Sequence, residues 1–275
     1  MEKIILVINA HHPDTRLMDF GCEMATMAKT DLTGLFVEHL AFTSMPIVGI
    51  GSAAYFTALR EEAVANVKTD VDQAVRIFED ECERKGVACN CILGKGDPVD
   101  QVVFESRFAD LLVVDPNIGF YERTEQIPSP LLKEILHRSE CPVLLAPHEY
   151  EGIEEIVFCY DGSASAVFAI KHFYYLFPGL ANRKATLLEI SKKRIAEFDD
   201  RNRRLMSLMK THYTHVTYRS EEGTGEDLFQ FLFKQRKKMV VMGAFGRSMF
   251  SNLFKHSSAE TLLRMTDLPV FITHH

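Results

Sequence analysis

Near the end of the chain, an apolar run at residues 239–242 is followed by residues whose types and spacing suit phosphate binding. They comprise two glycines, an arginine and two serines: Gly243, Gly246, Arg247, Ser257 and Ser258. Glycine lets the backbone approach an anion closely, and the free N–H groups and dipole of a helix N-terminus attract negative charge. The pattern therefore predicts a nucleotide-binding turn, with Ser257 opening the next helix. Arg247 either contacts phosphate or lies in solvent, as an isolated arginine on a loop more often does.

The spacing resembles the nucleotide motif of the universal stress protein family, which reads Gly, two residues, Gly, nine residues, Gly, then Ser or Thr. Gly243, Gly246 and Ser257 match this motif, and His256 replaces its third glycine. The resemblance implies that Asp161, at the end of another predicted strand, contacts a nucleoside, while the matching glycines and serine surround ribose and phosphates. By position alone, Asp161 is equally suited to cap the helix that follows it.

The predicted elements occur twice in the same order. Each copy opens with an apolar strand, at residues 3–9 and 153–160, and closes with matched segments at 139–147 and 266–274. Between these, helices alternate with strands, so that each copy has five strands. A repeat this long indicates a duplicated domain rather than a solenoid.

We therefore predict an α/β fold of two tandem five-stranded parallel αβα domains, Rossmann-like and similar to adenine nucleotide alpha hydrolases. Residues 1–148, here called the first half, and residues 152–275, the second half, are joined near residues 147–152. Members of the resembled family dimerise through the edge made by the last strand, which implies that the tandem chain imitates this dimer internally as a pseudo-dimer. We expect each half to keep its own sheet, so that one continuous sheet would contradict this architecture.

The first half has lost the ligand motif. Asn9 stands where the second half has Asp161, and the residues from Asp115 to Ile118 replace the turn with two glycines. A carboxylate there repels phosphate, and Pro116 lacks an N–H donor. Ser129 keeps only the helix cap. We therefore expect adenine nucleotide to bind to the second half alone.

Composition restricts the class of protein. The 275 residues are 47% hydrophobic and 25% charged, which is typical of a folded α/β protein, and the formal net charge is −7. This charge argues against broad nucleic-acid binding, and we interpret a local basic run as a solvated helix face: Arg201, Arg203, Arg204, Lys210 and His212. No stretch is long and apolar enough to cross a membrane, and residues 1–3 lead directly into a strand, so we expect a cytoplasmic protein.

Two further features are less specific. The six cysteines suggest reduced, mostly buried thiols; Cys89 and Cys91 face one side of a strand but lack the second pair that a metal site needs, and we expect no metal. Residues 42–55, an apolar segment with glycines, form either a mobile flap or an interface loop.

Two functions remain open from the sequence. The first is a stress-response adaptor that binds ATP or a relative, with Mg as an accompanying ion, and whose occupancy alters binding of an unidentified protein partner. The second is a scaffold without nucleotide, in which both sites are degenerate. The family resemblance allows weak ATP hydrolysis, but we assign no catalytic residue. The orientation of His256 distinguishes the two functions, because a side chain that points into the turn blocks nucleotide binding and one that points away leaves the N–H groups available. A homodimer is compatible with both functions.

Overall fold

The computed structural model describes residues 1–38, 53–119, 129–191, 199–223, 227, 232, 235–243 and 268–273, and for residues 53–68 and 190–191 only the backbone. The first half alternates strands with helices. In chain order these are β1 (Ile4–Asn9), α1 (Thr15–Ala28), β2 (Leu32–Val37), α2 (Ala53–Lys85), β3 (Cys89–Leu93), α3 (Pro98–Ser106), β4 (Leu111–Val114), α4 (Pro130–Arg138) and β5 (Val143–Leu145).

The second half repeats this alternation. Its elements are β6 (Glu155–Tyr160), α5 (Ala164–Leu176), a 3₁₀ turn (Pro178–Leu180), β7 (Lys184–Ser191), α6 (Asp200–Lys210), β8 (His215–Glu222), β9 (Lys238–Gly243) and β10 (Val270–Thr273). Of the helix predicted at residues 225–234, only Asp227 and Leu232 are described, both helical. The helix predicted at residues 258–265 lies outside the described residues.

All ten strands form one sheet, in the order β3-β2-β1-β4-β5-β10-β9-β6-β7-β8. The expectation of two separate sheets is therefore wrong. The last strands of the two halves pair antiparallel across the centre, and every other neighbouring pair is parallel. Leu144 and Phe271, which occupy equivalent places in the two closing segments, pair with each other. Edge-to-edge pairing satisfies the N–H and C=O groups that two separate sheets would leave open at this edge.

Helices cover both faces of the sheet. Alternate residues of β1 belong to different cores, with Ile4 and Leu6 on the face of α1, α2, α5 and α6, and Ile5 and Val7 on the face of α3 and α4. The first of these cores runs without interruption through both halves. Continuous apolar strands such as β1 are expected in a sheet buried on both faces.

The segment at residues 42–55 is described only at its end. Helical periodicity in the sequence predicts a helix that starts near residue 59, whereas α2 begins at Ala53 and so includes the last three residues of this segment. Residues 42–52 lie outside the described part. Among the described residues, no helix is long and apolar enough to cross a membrane.

Candidate functional site

The carboxyl ends of β6 and β9 lie side by side in the second half. The two strands pair in parallel, with Ile156 opposite Met239 and Phe158 opposite Val241. Asp161 follows the last residue of β6, and Gly243 is the last residue of β9. The structure therefore brings these two predicted site residues to one edge of the sheet, where ligands of open α/β sheets bind.

Asp161 shapes the turn into α5. Its Oδ1 accepts a hydrogen bond of 2.9 Å from the N–H of Ser163, across Gly162, whose φ of +80° favours glycine. Ser163, rather than Asp161, caps the helix, because its Oγ accepts from the N–H of Ala166 at 3.1 Å. A structural role for Asp161 is thus observed, through its Oδ1.

Gly243 is needed for packing. A Cβ at this position would lie 2.5 Å from the carbonyl carbon of Ser165 and 2.7 Å from its Oγ, closer than real Cβ contacts allow. The glycine therefore lets the end of β9 press against the first turn of α5. The sequence predicts that Gly243 lets the backbone approach a ligand closely. In the described residues, Gly243 instead lets the backbone of β9 approach the backbone of α5.

Ser165 also lies at this contact and was not among the predicted site residues. It is 7% exposed, and its buried Oγ has no hydrogen-bond partner among the described residues, although an unpaired buried hydroxyl is unfavourable. Its position two residues after the cap predicts a place in the first turn of α5. Nothing in the sequence predicts that the hydroxyl faces the end of β9.

Helix α6 borders the same edge. Asn202 donates to Glu189 Oε2 at 2.9 Å, and the hydroxyl of Tyr218 donates to the same oxygen at 2.7 Å, which fixes α6 to the sheet. Burial, with this bond, raises the pKa of Tyr218 to about 12. Next to Asn202, the exposed Arg201 places its Nη1 4.0 Å from where a Cβ on Gly162 would lie. The guanidinium beside the turn after β6 is ion-paired, because its Nε donates to Asp199 Oδ2 at 3.0 Å.

The corresponding edge of the first half has the same backbone register but different side chains. Ile4 lies opposite Leu111 in β1 and β4, which aligns Asn9 with Asp161 and Asp115 with Gly243. Asn9 uses both ends of its amide, accepting from the N–H of His11 at 3.0 Å and donating to the carbonyl of Gly119 at 2.8 Å.

A cavity of about 200 Å³ lies at this first-half edge. Its polar lining comes from Asn9, His12, Asp14, Asp115 and Asn117. Burial raises the pKa of Asp115, and the nearby Asp14 raises it further, while the N–H of Asn117 donates to the carboxylate at 2.8 Å. Burial alone would also raise the pKa of Asp14, but hydrogen bonds from Arg16 lower it overall. Two carboxylates around one small cavity disfavour a phosphate there.

Other sequence predictions have mixed outcomes. Ser129 caps α4 as expected, accepting from the N–H of Leu132 at 3.1 Å. No group of three His, Cys, Asp or Glu side chains suited to a metal occurs among the described residues. Five residues of the predicted nucleotide turn lie outside the described part, and their roles remain predictions: Gly246, Arg247, His256, Ser257 and Ser258.

The fold has relatives of known structure. A universal stress protein from Archaeoglobus fulgidus DSM 4304 aligns over 98% of this chain and 98% of its own, with a TM-score of 0.66 and 14% sequence identity. A protein from Pseudomonas aeruginosa UCBPP-PA14 described as a universal stress protein covers 99% of this chain and 92% of its own, with a TM-score of 0.57 and 15% identity. The chain therefore has the fold of these proteins along nearly its whole length, and the predicted fold class is confirmed.

Sequence comparison adds nothing to this likeness. No protein-family model matches the chain, and no curated protein matches it. A universal stress protein family member from Arabidopsis thaliana with AMP bound covers 52% of this chain and 89% of its own, with a TM-score of 0.34 and 19% identity. That similarity is too low to carry the AMP over to this chain.

Proposed function

We propose that this chain is a tandem universal stress protein, with domains at residues 1–148 and 152–275, that binds one adenine nucleotide at the carboxyl edge of the second half. The observation that supports this most is the contrast between equivalent strand ends. The second half has Asp161 and Gly243 where the first half has Asn9 and Asp115. Each pair carries one carboxylate, but the strand end proposed to face the phosphates is Gly243 in the second half and Asp115 in the first, where Asp14 adds a second carboxylate. A phosphate is therefore repelled more strongly at the first-half edge.

The described residues supply part of such a site. The N-terminus of α5 favours an anion at this edge, and the guanidinium of Arg201 could contribute where a ligand competes with Asp199 for it. The carboxylate of Asp161 retains capacity to accept hydrogen bonds from a ribose or an amino group. The remaining contacts to ATP, and to Mg if the ion accompanies it, would come from the predicted turn: Gly246, Arg247, Ser257 and Ser258.

In this proposal the protein acts as an adaptor, and nucleotide occupancy changes its binding to another protein. The scaffold without nucleotide is the competing function, and the degenerate first-half edge is the observation in its favour. Binding of nucleotide to the full chain distinguishes the two.

Calorimetric titration of the full chain with ATP and MgCl₂ tests the proposal. We expect one site per chain, and Asp161→Asn should weaken binding about tenfold because a neutral amide replaces a charged acceptor. This change keeps an oxygen that can accept from Ser163, so the turn into α5 is retained. The matched control is Asp115→Asn, at the equivalent edge of the first half, which should leave the affinity unchanged.

Two further variants address the residues of the turn. Gly246→Val should abolish binding, since a branched side chain obstructs a ligand lying on the turn, whereas His256→Gly should strengthen it. If neither the wild type nor His256→Gly binds millimolar ATP, the site is vestigial and the scaffold function is favoured.

A further inference from the structure

Three cysteine side chains meet between α1, α2 and β3. The Sγ atoms of Cys22 and Cys82 lie 3.7 Å apart, and both residues are fully buried, at 1% and 0% exposure. Cys89, at the start of β3, packs against the same hydrophobic core as Cys22 and Cys82 and is partly exposed. Of these three cysteines, Cys89 is therefore the one that solvent reaches.

The other cysteines lack this arrangement. Cys141 and Cys159 are buried in the core on the opposite face of the sheet. Cys91 is exposed and lies on the same strand as Cys89, two residues further along. These residues therefore provide internal controls for any reaction of the cluster.

We propose that Cys22 and Cys82 form a reversible disulfide when the protein is exposed to a hydroperoxide, with Cys89 as the thiol that the oxidant meets first. The sulfur atoms of Cys22 and Cys82 are already in van der Waals contact and need to approach by about 1.7 Å to reach bonding distance. The site is independent of the nucleotide edge, because it lies on helices of the first half.

The reaction proceeds in three balanced steps. The Cys89 thiol reduces the hydroperoxide to an alcohol, or to water for hydrogen peroxide, and becomes a sulfenic acid. The Cys82 thiol then displaces water from this sulfenic acid, which forms a Cys82–Cys89 disulfide. Finally, the Cys22 thiolate attacks the Cys82 sulfur, and Cys89 leaves as a thiolate that takes up a proton. In total, two thiols lose two electrons and two protons to the hydroperoxide.

The surroundings of the thiols favour the last step and slow the first two, in which Cys89 and Cys82 are the attacking groups. The hydrogen bond with Cys82 lowers the pKa of Cys22, and the same contact raises the pKa of Cys82. Cys22 is therefore the thiol of this pair that ionises first, as the attacking group in the last step requires. Burial raises the pKa of Cys89, which makes the reaction with hydroperoxide the slow step.

A disulfide between Cys22 and Cys82 would join α1 to α2. These helices pack on each other, and α1 also contacts the 3₁₀ turn of the second half and the segment between the halves, where the ring of Phe20 lies 5.1 Å from that of Tyr150. A link between residues so far apart in sequence restricts the unfolded chain strongly. The oxidised protein should therefore melt several degrees above the reduced protein.

Peptide mapping of the full-length protein tests this inference. The reduced protein is treated with hydrogen peroxide, free thiols are blocked under denaturing conditions, and the digest is analysed without reduction. We expect a Cys22–Cys82 linked peptide as the main product, which dithiothreitol removes, together with the rise in Tm. The proposal is wrong if the folded protein shows oxidation of Cys89 or Cys91 but no Cys22–Cys82 linked peptide. It is also wrong if the final product is a Cys82–Cys89 disulfide.

Two serine variants test the order of steps. Cys89→Ser should slow the appearance of the linked peptide by at least about tenfold, because hydrogen peroxide must then reach a fully buried thiol. Cys91→Ser, on the same strand and more exposed, should leave the rate unchanged. An unchanged rate in Cys89→Ser would contradict the role of Cys89 as the first thiol to react. The peptide mapping of the wild-type protein tests the Cys22–Cys82 disulfide even if a core variant fails to fold.

Discussion

At the scale of single residues, Asp115 shows how one side chain distinguishes the two halves. It stands at the end of β4, where the second half has Gly243, and burial raises its pKa. The folded protein therefore holds this proton at pH values where the unfolded chain has already released it. The stabilisation is present below the ordinary carboxyl pKa and is lost as the pH rises through the raised pKa of the folded state.

Asp115→Asn should consequently stabilise the protein at neutral pH, by about 1 kcal/mol. The gain should disappear at a pH of about 3 and below, where the carboxyl group is largely protonated in both states. Urea denaturation at both pH values measures this. Asp14→Asn is the control of opposite sign, because the pKa of Asp14 is lowered in the folded protein. This variant should lower the free energy of unfolding at neutral pH and change it less in acid. Equal destabilisation by Asp115→Asn at both pH values would contradict the expectation.

At the scale of elements, the contact between β9 and α5 builds the candidate site. The end of the strand touches the first turn of the helix because Gly243 has no side chain. The Oγ of Ser165, which has no partner in the part of the chain that the structure describes, lies at that contact. The same contact therefore positions both the strand end and the helix N-terminus that the proposed nucleotide needs.

Gly243→Ala should destabilise the protein by about 1 to 3 kcal/mol, since its methyl group would overlap the backbone of Ser165 and force α5 to move. The free energy of unfolding in urea measures the effect. Gly179→Ala is a matched control, because a Cβ there would lie 3.4 Å from the carbonyl of Met27, at the edge of ordinary contact. A similar loss in both variants would mean that crowding at the strand end is not the cause.

At the scale of the whole molecule, the pairing of β5 with β10 joins the two halves into one sheet. Leu144 and Phe271 face each other in this pair and are fully buried, and the ring of Phe271 packs edge-on against Phe173 at 5.2 Å. One hydrophobic core also crosses the junction. The halves should therefore unfold together, although each has the element order of an independent domain.

Phe271→Ala should cost about 3 to 5 kcal/mol and lower the stability of both halves equally. Hydrogen exchange at increasing urea concentration, read by mass spectrometry in peptides from β1 and β6, measures the two halves separately. We expect one common midpoint in the wild type and the same shift of both midpoints in the variant. A first half that keeps its wild-type midpoint would show that the continuous sheet does not couple them.

The sequence by itself determined the local order of the molecule. Runs of apolar residues predicted the strands, and Ser129 predicted a helix start. The matched closing segments at residues 139–147 and 266–274 predicted a duplication. The sequence alone also showed that the first half has Asn9 and Asp115 where the second half has Asp161 and Gly243. These features depend on residues near each other in the chain, which periodicity and residue type report.

Only the tertiary structure decided how distant elements meet. The antiparallel pair of β5 and β10 depends on two sheet edges arriving at the same place, and no local pattern specifies that partner. The contact of Gly243 with Ser165 follows from the packing of α5 on β9, and the contact of Cys22 with Cys82 from the packing of α1 on α2. Periodicity identifies the face that a helix buries, but the residues opposite that face are set by the arrangement of the whole chain.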